Sequence, residues 1–192
     1  MARQENLFPE CNVDTNLVGH IIGGKVKHKG CCNEVAKALN NTDAFAIGIV
    51  DEDKRQATFD AGFVKYEFQS PYKKQHITFY PHTDGKRYLF KVYKAMDEFV
   101  LDAAKALKVD MSAFGYSNQL EEFKRITKTQ DASENPKLRQ LFDHIKDYPE
   151  LVAFRNTLKY LVNQKYDADP EIAKKFFDGR LTSDDLGQYL KH

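Results

Sequence analysis

The sequence predicts an α/β protein, with a parallel-sheet domain over residues 1–107 and a C-terminal helical region over 108–192. Three observations predict it. "AFAIGIV" (44–50) is a continuous apolar run of strand length, as expected of a strand buried on both faces of a parallel sheet. The segments before it alternate strand and helix, the order that builds such sheets. From Lys94 onward, apolar residues recur mainly at helical spacing.

Each element has its own signal. "ENLFPE" (5–10) is a short extended segment. "DTNLVGHII" (14–22) sets Leu17 and Ile21, and Val18 and Ile22, four apart, with Asp14 at the helix start. "GGKVKHKG" (23–30) is a glycine-bounded short strand. In "NEVAKALNN" (33–41), Val35, Ala38 and Leu39 line one helical face, and Asn33 is the expected cap. After the apolar run, "GFVKYEF" (62–68), "QHITFYP" (75–81) and "KRYLFKVY" (86–93) are β-rich, and Asp84-Gly85 signals a hairpin between the last two. "KAMDEFVLDAAKAL" (94–107) puts Met96, Phe99, Val100, Ala103 and Leu107 on one helical face. Helices are expected over 117–128 with Ser117 as cap, over 135–148 and 149–166 with prolines in their first turns, over 169–179, and over 182–192. Residues 128–136, "KTQDASENP", are the expected flexible connection.

Composition excludes several classes. The chain has 192 residues, is 42% hydrophobic and 12% aromatic, and so supports a packed core. Its 29 basic and 28 acidic residues nearly cancel, so no overall field points to nucleic acid or membrane, although a basic face remains compatible. Cys11, Cys31 and Cys32 form neither a disulfide framework nor a zinc spacing, and no histidine is placed beside them to make a thiol nucleophile. No phosphate-loop signature for ATP is present. There is no apolar signal core, and no apolar run approaches the roughly 20 residues needed to cross a bilayer. The expectation is a cytoplasmic protein with no membrane partner.

The chemistry lies in the carboxylates. "AFAIGIV" runs into "DEDKR", placing Asp51 and Asp53 at the carboxyl end of a buried strand, the edge where open α/β sheets bind ligands. In extended backbone, positions two apart share a side, so the two acids repel unless a cation or solvent separates them. The alternative is a solvated turn. Glu10 also ends a strand directly before a helix. If those two strands are neighbours, Glu10, Asp51 and Asp53 share one edge. Asp14 suits either a metal or the positive end of its helix.

These residues resemble the motifs of the TOPRIM family. Glu10-Cys11-Asn12-Val13-Asp14, followed by Leu17, resembles the family's opening glutamate with an aspartate four residues on. Gly30 and "NEVAKAL" resemble its glycine turn and second helix, and "IGIVDEDKR" its strand ending in Asp-x-Asp. The match spans residues 7 to about 55, and the next βα unit is placed loosely in 63–107. The glycine that follows the glutamate in the family is Cys11 here.

The resemblance implies a small stand-alone or OLD-nuclease-like protein that processes phosphodiester bonds. Glu10, Asp51 and Asp53 are then catalytic and hold Mg²⁺ or Mn²⁺, with Asp14 as a further ligand, and Glu10 alternatively acts as general acid or base. The implied substrate is DNA or RNA, its phosphates met by Lys54 and Arg55 and by Lys27 and Lys29 with Lys25 and His28 beside them. An acid in the helix after the last strand, Glu98, is a further candidate. His76 and His82 are poor metal ligands by sequence. Aromatics of the β-rich segments either stack bases or fill the core. The alternative function is a non-catalytic TOPRIM-like protein whose helical half binds a protein or nucleic-acid partner.

Overall fold

The computed structural model describes residues 3–52 and 57–191, so the sequence-predicted Asp53, Lys54 and Arg55 lie outside the described residues. The described chain is mixed α/β: a mostly parallel four-stranded sheet with eight α-helices. No helix in it is long and apolar enough to cross a membrane.

Strand β1 (Arg3–Gln4) pairs with β3 (Lys25–Val26) in a small parallel ribbon. The main sheet contains β2 (Leu7–Pro9), β4 (Ala46–Glu52), β5 (Ile77–Pro81) and β6 (Arg87–Tyr93), in the order β2-β4-β6-β5. The first and third strands predicted from sequence are therefore neighbours: β2 runs parallel to β4, with Leu7 opposite Ile47 and Pro9 opposite Ile49. β6 also runs parallel to β4, and β5 closes the edge as the antiparallel hairpin that Asp84-Gly85 signalled, with Gly85 at φ 70°.

The two faces of the sheet differ. On one, helix α2 (Cys32–Asn40) sets Val35 and Leu39 against Ala46, Val50 and Leu89. It approaches so closely that a Cβ on Gly48 would stand 2.6 Å from Leu39 and 2.9 Å from Val35. The other face carries α1 (Asn12–Ile22), α3 (Met96–Ala106), α5 (Pro136–Ile145), α6 (Pro149–Gln164) and α7 (Pro170–Phe177), whose apolar faces join one continuous core with Ile47, Ile49 and Phe90. Helices α4 (Leu120–Thr127) and α8 (Ser183–Tyr189) complete the set.

Aromatic strand residues supply much of this core. Phe79 and Phe90 stack at 4.8 Å, and Phe154 of α6 meets Phe90 edge-on at 5.1 Å. Tyr88, Phe79 and Phe90 are fully buried, so none of them presents a ring for base stacking.

Some local expectations shift. Helix α2 starts at Cys32 with Cys31 as its cap, and α4 starts at Leu120, its approach shaped by Ser117 accepting from the Gln119 N–H. The expected flexible connection is instead a 3₁₀ turn (Gln130–Glu134) pinned to α1. Asn12 Nδ2 donates to the Thr129 carbonyl, and buried Asn16 Nδ2 donates to the carbonyls of Ala132 (2.8 Å) and Asn135 (3.0 Å). These partners lie more than 100 residues away in sequence, beyond the reach of local turn signals.

Candidate functional site

The carboxyl ends of β2 and β4 bring two of the sequence-predicted acids, Glu10 and Asp51, together. The Glu10 N–H donates to the Ile49 carbonyl at 3.0 Å, extending the ladder one residue past β2. This holds the Glu10 side chain beside β4, where Oε2 accepts from the Asp51 N–H at 2.9 Å. Asp51 occupies the same strand face as Ile47 and Ile49, the face covered by α1 and α3. Its Oδ1 accepts from the Met96 N–H at 3.0 Å. Met96 opens α3, and Ala95 at the N-cap has no side-chain acceptor, so Asp51 reaches across from the sheet to satisfy a helix-terminal N–H.

Cys11 has φ −111° and ψ 175°, extended backbone open to any residue, so cysteine in place of the family's glycine introduces no strain at this turn. Asp14 then folds back. Its Oδ2 accepts from the Cys11 N–H at 3.2 Å, a helix-start contact that confirms the capping alternative for one oxygen. Its other oxygen, Oδ1, is buried with no hydrogen-bond partner, and the residue as a whole is 0% exposed.

A fourth acid joins them that sequence reasoning missed. Asp97, the second residue of α3, is buried and accepts from Thr127 Oγ1. Glu98, the acid singled out from sequence, turns away to pair with Lys74 (2.9 Å) and Lys94 (3.3 Å). Helical spacing distinguishes the two. Asp97 shares a stripe with Val100 and Ala104, whereas Glu98 shares one with Asp102 and Lys105.

Burial and mutual repulsion dominate the electrostatics. Burial, with the charges of Asp14, Glu10 and Asp97 adding to it, pushes the Asp51 carboxyl from 3.8 up to about 9. Burial also raises Asp14 to about 7, with Glu10 and Asp97 contributing. Asp97 is raised by burial, against the Thr127 hydrogen bond and the charges of Lys124 and Lys128. The Cys11 thiol is raised well above its ordinary value by burial and by Asp14 and Asp51, which leaves it a poor nucleophile. Near neutral pH the cluster thus retains protons on carboxyl groups that would be ionised in water. Among the described residues, no group of three or more His, Cys, Asp or Glu side chains is disposed to hold a metal ion.

The basic candidates divide. Lys27 and His28 are exposed. Lys29 lies over the Phe8 ring at 4.4 Å, and its N–H donates to the Pro9 carbonyl, so it flanks the end of β2. Gly30 donates to the Glu10 carbonyl at 3.0 Å, which ties the basic segment to the acid edge. His76 and His82 sit elsewhere. His76 is buried between Glu150 and Asp102, and His82 packs with Arg87 and Asp84.

Compared with known proteins, the chain matches no family model, no curated protein and no solved structure. The TOPRIM resemblance therefore stands on the residues quoted above.

Proposed function

We propose that the protein processes phosphodiester bonds as a Mg²⁺- or Mn²⁺-dependent nuclease of TOPRIM type. Glu10, Asp51 and Asp53 would hold the cation, with Asp14 beside them. The observation that carries this reading is the meeting of Glu10, Asp14 and Asp51 at one carboxyl edge of the sheet, with a buried, unpartnered Asp14 oxygen and carboxyls raised by burial and, after it, by repulsion. All the donors are hard oxygens, the chemistry that suits Mg²⁺ and Mn²⁺. When bound, such a cation supplies Lewis-acid stabilisation of a phosphodiester and an activated water. The chain's own contribution is to exclude solvent with α1 and α3, to fix Asp51 through the Met96 N–H and to keep Glu10 beside it.

A second reading, a TOPRIM-like protein that binds a protein or nucleic-acid partner without catalysis, is favoured by one observation. The described acids are not arranged as a ready metal cage. Cleavage of plasmid DNA and of single-stranded DNA and RNA, with Mg²⁺ or Mn²⁺ and with EDTA, separates the two. Cation-dependent cleavage lost in Glu10→Gln and Asp51→Asn supports the nuclease. A wild-type protein inert on every substrate, or variants as active as wild type, rejects it.

A further inference from the structure

A recess of about 810 Å³ opens between α1, β3 and the 130–134 turn. Its cations are Lys25, Lys27 and Arg139, the histidines His20 and His28 also line it, and among the described residues Glu134 is its one acid. Glu134 is spent weakly, 4.0 Å from Lys25 and with both side chains largely exposed. Arg139 is held differently. Its Nε donates at 3.0 Å to Oδ1 of Asn16, a fully buried side chain whose own amide is fixed by the carbonyls of Ala132 and Asn135. One edge of the guanidinium is thereby anchored, and among the described residues its terminal nitrogens have no hydrogen-bond partner, which leaves them for a ligand in the geometry that suits the paired oxygens of a phosphate. His28 Nδ1 lies 3.3 Å from Thr15 Oγ1. Gly23, at φ 64°, turns the chain at the end of α1 without placing a side chain over the mouth.

The chain segment that lines the recess runs on toward the acid edge. Its basic strand leads through Lys29, bonded to Pro9, to Gly30, bonded to Glu10. We propose that the recess is a phosphate-ester site, filled either by a nucleotide or by a stretch of nucleic-acid strand whose neighbouring phosphodiester lies at the acids. The link to the acids rests on the nuclease reading, whereas binding in the recess does not. Arg139 is the residue that sequence spacing alone assigns no role, because the buried asparagine that orients it lies 123 positions earlier.

The test is binding by the full chain in EDTA, where cleavage is silent. Fluorescence anisotropy is read with a short labelled single-stranded DNA and its RNA counterpart, with AMP and ADP as competitors. Wild type is expected to bind. Lys27→Ala/Arg139→Ala should bind at least tenfold more weakly, and its salt dependence should fall by about 0.7 per cation removed. Lys25→Ala/Lys27→Ala, which changes two exposed side chains, should weaken binding without altering the thermal midpoint. Competition by the mononucleotides assigns the nucleotide source, and strand binding without such competition assigns nucleic acid. Absence of binding by every probe to wild type, or binding by both double variants with unchanged affinity and salt slope, overturns the proposal. Binding with no cation-dependent cleavage would reject the nuclease and leave the recess standing.

Discussion

Asp51→Asn should make the protein more stable at neutral and alkaline pH in the absence of divalent cations. The unfolded chain ionises this carboxyl near 3.8, whereas in the fold it is pushed up to about 9, first by burial and then by Asp14, Glu10 and Asp97. The folded state therefore binds more protons than the unfolded state between those values, and stability falls as pH rises through that window. At about 1.4 kcal/mol per pH unit, the interval up to pH 7 sets a ceiling of about 4 kcal/mol on this penalty. Shared protonation with Asp14, itself raised to about 7, brings the expected gain to about 2 kcal/mol. Asparagine keeps an oxygen for the Met96 N–H, so the helix contact survives. Urea unfolding followed by circular dichroism, in EDTA from about pH 5 to about pH 8.5, reads the difference. The variant should exceed wild type most at the alkaline end and converge with it toward acid pH. A variant less stable than wild type at alkaline pH, or a wild type with no such slope, would refute the electrostatic reasoning.

Other perturbations have equally definite outcomes. Glu150 accepts the N–H groups of His76 (2.7 Å) and Ile77 (2.6 Å) and meets His76 Nδ1, so Glu150→Gln should cost about 2–4 kcal/mol by urea unfolding. Burial opposes charge on His76, but Glu150 and Asp102 outweigh it and raise its pKa above 6.5. The stability from that network is complete below about 6.5 and is lost as pH rises through the folded value, so Glu150→Gln should flatten this part of the pH profile. Gly48→Val should cost about 1–3 kcal/mol, because its side chain meets Leu39 and Val35 of α2; an unchanged unfolding midpoint would contradict that packing. Asn16→Ala leaves the carbonyls of Ala132 and Asn135 without their donor and should cost about 1–3 kcal/mol, with faster amide exchange in residues 130–135.

The strands behind the site were legible because their causes are local, whereas the pairing of β2 with β4 entered the sequence reading only as a condition. A continuous apolar run reads as a buried central strand, and a carboxylate just past a strand end reads as an edge residue; β4 and Glu10 follow these rules. The β5–β6 hairpin was legible through Asp84-Gly85 for the same reason. What depends on distant partners was not. The 128–136 segment carries turn residues, but its conformation is set by Asn12 and Asn16 on α1. Arg139 has no local signal, because its setting depends on Asn16, 123 positions earlier. Asp97 was within reach of sequence reasoning, since it falls on the apolar stripe of α3, but its neighbour Glu98 drew attention instead. Asp14 illustrates a different limit: sequence offered a cap or a ligand, and the fold gives one oxygen to the cap while leaving the other buried and unpaired.

The central claim is that the acids at the sheet edge take up a divalent cation, and titration calorimetry with Mn²⁺ and Mg²⁺ tests it most directly. Run in two buffers of different ionisation enthalpy, it also counts released protons. The account predicts saturable binding in the millimolar range or tighter, release of protons from the raised carboxyls near neutral pH, and loss of both signals in Glu10→Gln/Asp51→Asn. No heat of binding by the wild-type chain, or equal binding by the double variant, would contradict it.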